Sequence, residues 1–83
     1  MYDIEFTKFA KRQFDKLPYD VRERILAVLE RIRIRPQQFV DKLVGESGYK
    51  LRVGDYRIFL DIYTDKLIVL VLKLGHRKNV YKN

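Results

Sequence analysis

Basic and tyrosine side chains alternate with apolar residues in the second half of the chain, and their chemistry suits a phosphate backbone. A guanidinium group can bind two phosphate oxygens at once, a lysine adds a point charge, and a tyrosine ring can stack on an unpaired base. The residues with these properties are Lys50, Arg52, Arg57, Tyr63, Lys73, Arg77, Lys78 and Tyr81. Together they indicate nucleic-acid binding, although alternating polar residues are more often only the solvated face of a sheet.

One histidine, His76, directly follows Gly75, and imidazole is a suitable group for proton transfer near neutral pH. An isolated histidine after a glycine is, however, more often a turn residue than a catalyst. The sequence has no cysteine and no second histidine, which excludes a disulfide framework and a thiolate zinc site and disfavours a histidine-built metal site. We therefore expect neither a metal nor a cofactor.

The positive charge of the chain is unevenly distributed. The net charge is +7, of which residues 1–41 contribute +2 and residues 42–83 contribute +5. Such a field suits a polyanion or an acidic protein, although it is also found in proteins that simply have a high isoelectric point. The acidic N-terminus does not resemble a signal peptide, and no apolar run approaches the roughly 20 residues of a membrane span. We expect one cytoplasmic domain, residues 1–83, without a membrane segment.

Hydrophobic periodicity indicates the helices and strands that position these side chains. Thr7 can cap a first helix, Pro18 separates it from a second helix, and Pro36 ends the second. The predicted elements are a strand over 2–6, helices over 8–16 and 19–35, a loop over 37–48, and strands over 49–53, 56–63 and 67–74. This βααβββ order predicts an α+β fold in which two N-terminal helices pack on one face of an antiparallel sheet.

Alternation along the last three strands separates a face packed against the helices from an open face. The residues expected to face the helices are Tyr49, Leu51, Val53, Tyr56, Ile58, Leu60, Ile62, Ile68, Leu70, Leu72 and Leu74. The open face then carries Lys50, Arg52, Arg57, Asp61, Tyr63 and Lys73, with Arg77 and Tyr81 just beyond the last strand. Phe59 and Val71 fall on the same open face, which indicates that part of it is covered.

The stretch from Tyr49 to Tyr81 resembles the RelE toxins of the RelE/ParE superfamily. The matching segments are Tyr49-Lys50-Leu51-Arg52-Val53-Gly54-Asp55-Tyr56-Arg57 and, after an apolar strand, Gly75-His76-Arg77-Lys78-Asn79-Val80-Tyr81. The strand and two helices of the first half also agree, so the resemblance covers nearly the whole chain.

This resemblance implies a microbial-ribonuclease-like fold and a metal-independent endoribonuclease that cuts messenger RNA in the ribosomal A site. In such enzymes the 2′-hydroxyl attacks the adjacent 3′-phosphate, which requires a base, an acid and cations around the phosphorane. By position, Arg57 resembles the phosphate-binding arginine of the family and Arg77 its second arginine. Tyr81 resembles a tyrosine that orients or stacks on the substrate, and Lys50 a lysine implicated in charge stabilisation or proton transfer.

The general base and acid remain open. Arg52 stands where some relatives have a second lysine, and an arginine is a poor base because it stays protonated. The base is then Lys50 or His76, with Glu46 a remote candidate, and the acid is His76 or Tyr81. We assign RNA binding to Arg52, Lys73, Lys78 and Tyr63.

The resemblance also implies partners: the ribosome, messenger RNA and an acidic RelB-like antitoxin that folds on binding and forms a hetero-oligomer with the toxin. Two other functions are compatible with the sequence. One is a ParE-like toxin that inhibits DNA gyrase without nuclease chemistry, and the other is an inactive RNA-binding relative.

Overall fold

The alternating and helical segments of the sequence form, in the computed structural model, two helices packed on one face of a five-stranded sheet. The structure describes residues 1–80. Its elements are β1 (Asp3–Phe6), α1 (Lys8–Asp15), α2 (Tyr19–Arg31), a 3₁₀ turn (Pro36–Gln38), β2 (Asp41–Lys42), β3 (Tyr49–Val53), β4 (Tyr56–Tyr63) and β5 (Ile68–His76). The predicted α+β class and the order of the helices and main strands are confirmed.

The sheet is mixed, with the strand order β1-β5-β4-β3-β2, whereas the sequence predicts an antiparallel sheet. The difference lies in β1, which pairs in parallel with β5, its residue Asp3 lying beside Ile68. Periodicity identifies a strand but carries no information about its distant partner, so the direction of this pairing was not predictable. The two-residue strand β2 lies inside the predicted loop and pairs with the start of β3.

The second helix ends at Arg31, four residues before its predicted end. The backbone of Arg33 bonds instead to the start of the first strand: its carbonyl accepts from the amide of Tyr2 at 2.8 Å. The Arg33 Nε donates to the Tyr2 carbonyl at 2.7 Å. Pro36 moreover keeps the preceding residue, Arg35, out of the helical region, with φ −140° and ψ 72°. These bonds tie the end of α2 to β1.

Thr7 and Gln13 satisfy backbone groups of β5 at the point where β1 stops pairing with it. The Thr7 hydroxyl accepts from the amide of Ala10 at 3.0 Å, which confirms the predicted helix cap, and donates to the Leu72 carbonyl at 3.1 Å. The Gln13 side-chain carbonyl accepts from the amide of Leu74 at 2.8 Å. Helix α1 thus replaces the missing strand neighbour, because unpaired backbone groups in a sheet are costly.

We expect Thr7→Val to lower the free energy of unfolding by about 1–3 kcal/mol, because valine keeps the shape of threonine but loses both hydrogen bonds. The measurement is urea unfolding followed by circular dichroism. Thr7→Ser retains the hydroxyl and is the matched control, expected within about 1 kcal/mol of the wild type. A larger loss in Thr7→Ser than in Thr7→Val would show that the methyl group, and not the hydroxyl, stabilises this junction.

A β-bulge in β5 changes which of its residues face the helices. Phe59 lies opposite Lys73 and Leu60 lies opposite Val71, so Leu72 is an extra residue without a partner on β4. The bulge reverses the alternation along β5, as a one-residue insertion must. Val69, Val71 and Leu74 therefore enter the core, while Leu70 is half-buried on the other face. The predicted placement of Ile68, Leu70 and Leu72 against the helices, and of Val71 on the open face, is wrong for this reason.

The hydrophobic core lies between the helices and the sheet. Its buried members are Ala10, Phe14, Ile25, Leu29, Ile32, Leu51, Val53, Ile58, Leu60, Val69, Val71 and Leu74. The expected apolar faces of β3 and β4 are thus the buried ones. Within residues 1–80, neither helix has the length and apolar character needed to cross a membrane.

Candidate functional site

Strand register brings four predicted site residues together on the open face. Arg52 on β3 lies directly opposite Arg57 on β4, and Phe59 lies between Lys50 on β3 and Lys73 on β5. The Lys73 Nζ is 5.0 Å from the centroid of the Phe59 ring. Like charges directly opposite each other across two strands destabilise a sheet by roughly 0.2–1 kcal/mol. The repulsion between the facing arginines therefore lowers the stability of the sheet, and a bound anion would offset it.

The turn between β3 and β4, Gly54-Asp55, holds both arginines that the sequence singles out. The Arg57 Nη1 donates to the carbonyl of Gly54 at 2.9 Å and to that of Tyr56 at 3.0 Å. The Arg77 backbone amide donates to the Asp55 carbonyl at 2.7 Å, and its Nε lies 3.5 Å from the Asp55 carboxylate. Arg57 and Arg77 are 20 residues apart in the sequence but meet at one turn.

His76 lies on the other face of β5. It pairs with Tyr56, and the two rings are 5.4 Å apart at an interplanar angle of 79°. Its Nδ1 accepts a hydrogen bond from the Lys78 backbone amide at 3.1 Å, so the neutral ring carries its proton on Nε2. The structure therefore does not bring His76 to the face that carries Lys50 and Arg57.

The segment after β5 turns back onto the open face. The His76 carbonyl accepts from the amides of Asn79 and Val80, at 2.8 and 2.9 Å. The buried Val80 places its Cβ 3.5 Å from where a side chain on Gly75 would begin. Gly75 pairs with Arg57, so the chain reaches residue 80 beside this arginine. Lys78 is exposed on this turn, and Tyr81 lies outside the described residues.

Tyr63 lies far from the arginines. It is six residues along β4 from Arg57, which separates the two by roughly 20 Å. Its hydroxyl is 3.5 Å from the Asp61 carboxylate, and the β1–β5 register adds Asp3 and Glu5 to the same end of the open face. The open face is therefore divided into a basic end near the Gly54-Asp55 turn and an acidic end, and Tyr63 belongs to the acidic end.

Sequence reasoning missed three residues that approach the basic end. Asp41 on β2 has its Oδ2 4.0 Å from the Arg52 Nε, and Asp55 pairs with Arg77. The third is Arg24 on α2: a Cβ added to Gly54 would lie 2.8 Å from its Nη1. Gly54 has φ +58°, a conformation that favours glycine. No pattern in the sequence links a helix residue to a distant turn, so Arg24 was not predictable.

Within residues 1–80, no group of three or more histidine, aspartate or glutamate side chains is arranged to hold a metal ion. The chemistry that this arrangement supports is electrostatic: fixed guanidinium and ammonium groups that bind phosphate and stabilise added negative charge.

Comparison with protein families matches residues 4–81 to the model of the ParE toxin of type II toxin–antitoxin systems, parDE. Among curated proteins, the chain is 29% identical over 80 residues to the mRNA interferase toxin RelE of Escherichia coli K12, covering 93% of this chain and 84% of the relative.

Two solved structures are also similar. The toxin–antitoxin complex RelBE2 from Mycobacterium tuberculosis contains a chain with a TM-score of 0.77 and 29% identity, covering 92% of this chain and 98% of that one. The isolated E. coli RelE toxin has a TM-score of 0.81 and 26% identity, covering 92% of this chain and 84% of that one.

Proposed function

This chain belongs to the ParE toxin family of type II toxin–antitoxin systems, and on that premise we propose that it is a ribosome-dependent endoribonuclease that cleaves messenger RNA in the A site. The observation that carries the proposal is the meeting of Arg57 and Arg77 at the Gly54-Asp55 turn, beside Arg52 and the two lysines of the open face. The similarity to the mRNA interferase toxin RelE of E. coli supports it. Acting on translating ribosomes, the protein would work in the cytoplasm.

In the proposed reaction the 2′-oxygen of a nucleotide forms a bond to its own 3′-phosphorus, and the bond from phosphorus to the next 5′-oxygen breaks. The products are a 2′,3′-cyclic phosphate and a 5′-hydroxyl. The proton of the 2′-hydroxyl goes to a base, and the leaving 5′-oxygen takes a proton from an acid. Negative charge accumulates on the phosphorane oxygens between these two transfers, and Arg57 and Arg77 stabilise it.

Lys50 is the better candidate for the residue that acts at the 2′-hydroxyl, as a base or as a stabilising cation. It shares the open face with Arg57, whereas His76 faces the helix side with its Nδ1 engaged by a backbone amide. To act as an acid, His76 must become the imidazolium, which carries a proton on Nδ1 as well and therefore requires that the hydrogen bond from the Lys78 amide be broken. Tyr81 stays in our proposal as a second acid or as a stacking platform for a base.

We also propose an acidic antitoxin as the partner of this chain. The RelBE2 structure is a toxin–antitoxin complex, and the basic end of the open face would attract an acidic segment. Co-expression with an adjacent small gene is expected to give a complex that co-elutes on gel filtration. Separate elution of the toxin would show that this gene product is not its antitoxin.

The test of the proposed function is primer extension on a reporter messenger RNA after induction of the protein. We expect discrete cuts within the translated codons, because the A site presents the message there. The matched control is the same reporter without its start codon, which is transcribed but not translated and is expected to remain intact. Cuts in both messages would contradict the dependence on the ribosome.

Inhibition of DNA gyrase is the second candidate function, since the matched family model is named for ParE. It predicts growth arrest without message cleavage and relief of the arrest when gyrase is overproduced. Message cleavage, together with growth arrest that gyrase overproduction does not relieve, would exclude inhibition of gyrase.

A further inference from the structure

Arg24 reaches the Gly54-Asp55 turn from the side of the sheet opposite to Arg57. It lies in the middle of α2, is exposed, and directs its Nη1 to within 2.8 Å of the position of a Cβ on Gly54. Arg57 approaches the same residue from the open face and donates to its carbonyl at 2.9 Å. The two guanidinium groups are thus separated by one glycine that has no side chain to keep them apart.

The turn carries more positive charge than its acid neutralises. Three guanidinium groups converge on the turn: those of Arg24 on α2, Arg57 on β4 and Arg77 after β5. The carboxylate of Asp55 lies 3.5 Å from the Nε of Arg77. Among residues 1–80, neither Arg24 nor Arg57 forms an ion pair with a carboxylate within 4.0 Å. Cations held this close repel one another, and a bound polyanion would relieve the repulsion.

We propose that Arg24 binds an RNA phosphate, so that the phosphate-binding surface continues from the open face around the Gly54-Asp55 turn onto α2. This inference rests on the proposed function, because it assumes that RNA occupies the basic end of the sheet. The part of Arg24 that lies against Gly54 is the guanidinium group itself, so its charge stands at the turn, where a phosphate could bind it.

The role of the Arg24 charge is tested with Arg24→Gln, which removes the charge but keeps most of the aliphatic stem of the side chain. The probe is a single-stranded RNA of about 12 nucleotides, 2′-O-methylated so that it cannot be cleaved, and binding is measured by fluorescence anisotropy over a range of salt concentrations. Arg24→Gln is expected to bind about threefold to tenfold more weakly at low salt. The slope of log affinity against log salt should fall by about 0.7, the value for one phosphate contact to a single strand.

Arg31→Gln is the matched control. It removes the same charge from an exposed position on the same helix, seven residues or about 10 Å further along, and is expected to change the affinity less than twofold. Arg24→Lys should restore most of the salt dependence. Wild-type affinity and slope in Arg24→Gln, or equal losses in Arg24→Gln and Arg31→Gln, would overturn the proposal. Because this assay needs neither ribosome nor cleavage, its failure is distinguishable from failure of the proposed function.

The phosphate belongs either to the message or to ribosomal RNA, and two measurements separate these sources. A weaker affinity of Arg24→Gln for vacant ribosomes identifies ribosomal RNA. Unchanged ribosome affinity with a lower single-turnover cleavage rate on saturated ribosomes identifies the message.

Discussion

Replacing both Arg57 and Arg77 by alanine is expected to reduce the single-turnover rate of message cleavage by at least about a thousandfold. Removing one group that stabilises transition-state charge typically costs 10²–10³ in rate, and these two arginines are held at one turn where both would face the same phosphate. Each single alanine variant should lose about a hundredfold or more, with a smaller combined loss than the product of the two. The rate is measured on ribosomes saturated with toxin, so that weaker binding does not contribute.

Arg12→Ala removes an exposed arginine of α1 and is the charge-matched control for each single variant, expected within about threefold of the wild-type rate. Arg57→Lys should recover only part of the activity, because an ammonium group cannot bind two phosphate oxygens in a fixed plane. A double variant that retains the wild-type rate within tenfold would show that the charge stabilisation comes from elsewhere. Circular dichroism of each variant checks that the protein is still folded, since Arg57 itself bonds to the turn.

Lysine introduced at two neighbouring positions of β5 should have very different effects on stability. Val71→Lys places an unpaired charge in the core and is expected to cost at least about 4 kcal/mol, enough to unfold a domain of this size. Leu70→Lys places the same charge on the open face, beside Glu5 and opposite Asp61, and is expected to change the free energy of unfolding by less than about 1 kcal/mol. Both are measured by urea unfolding.

The two variants are each other's control, since they differ only in the face of the strand that receives the lysine. If β5 had no bulge at Leu72, the order of the two stabilities would be reversed, and Leu70→Lys would be the variant that unfolds. Salt gives a further check on Leu70→Lys, because the favourable contacts of the introduced ammonium group are exposed and should weaken as ionic strength rises.

Much of the fold and of the site's composition could be predicted from local patterns. Alternation along β3 and β4 identifies the buried residues and places Lys50, Arg52 and Arg57 on the open face, since those two strands have no insertion. The cap at Thr7 was predictable because its hydrogen bond to Ala10 is local.

The features that were not predictable depend on distant neighbours. The extra residue Leu72 reverses half of β5, and nothing in a run of alternating apolar residues marks where such a bulge falls. His76 was a candidate base or acid because imidazole suits proton transfer, but its pairing with Tyr56 turns it toward the helices and away from the open face. Arg24 and Asp41 reach the basic end only through the packing of α2 and the short strand β2.

The parallel pairing of β1 with β5 has a consequence for the order in which the chain can fold. Residues 3–6 find their partner only in residues 68–71, and the edge of β5 beyond them is completed by side chains of Thr7 and Gln13. During synthesis the first strand and both helices emerge long before the strand that anchors them, so most of the contacts that close the sheet are late and non-local. The hairpin of β3 and β4 can form earlier, but without β5 it lacks Arg77 and the strand that carries Lys73. The basic end of a nascent chain therefore cannot assemble until the residues up to Arg77 have left the ribosome that makes it.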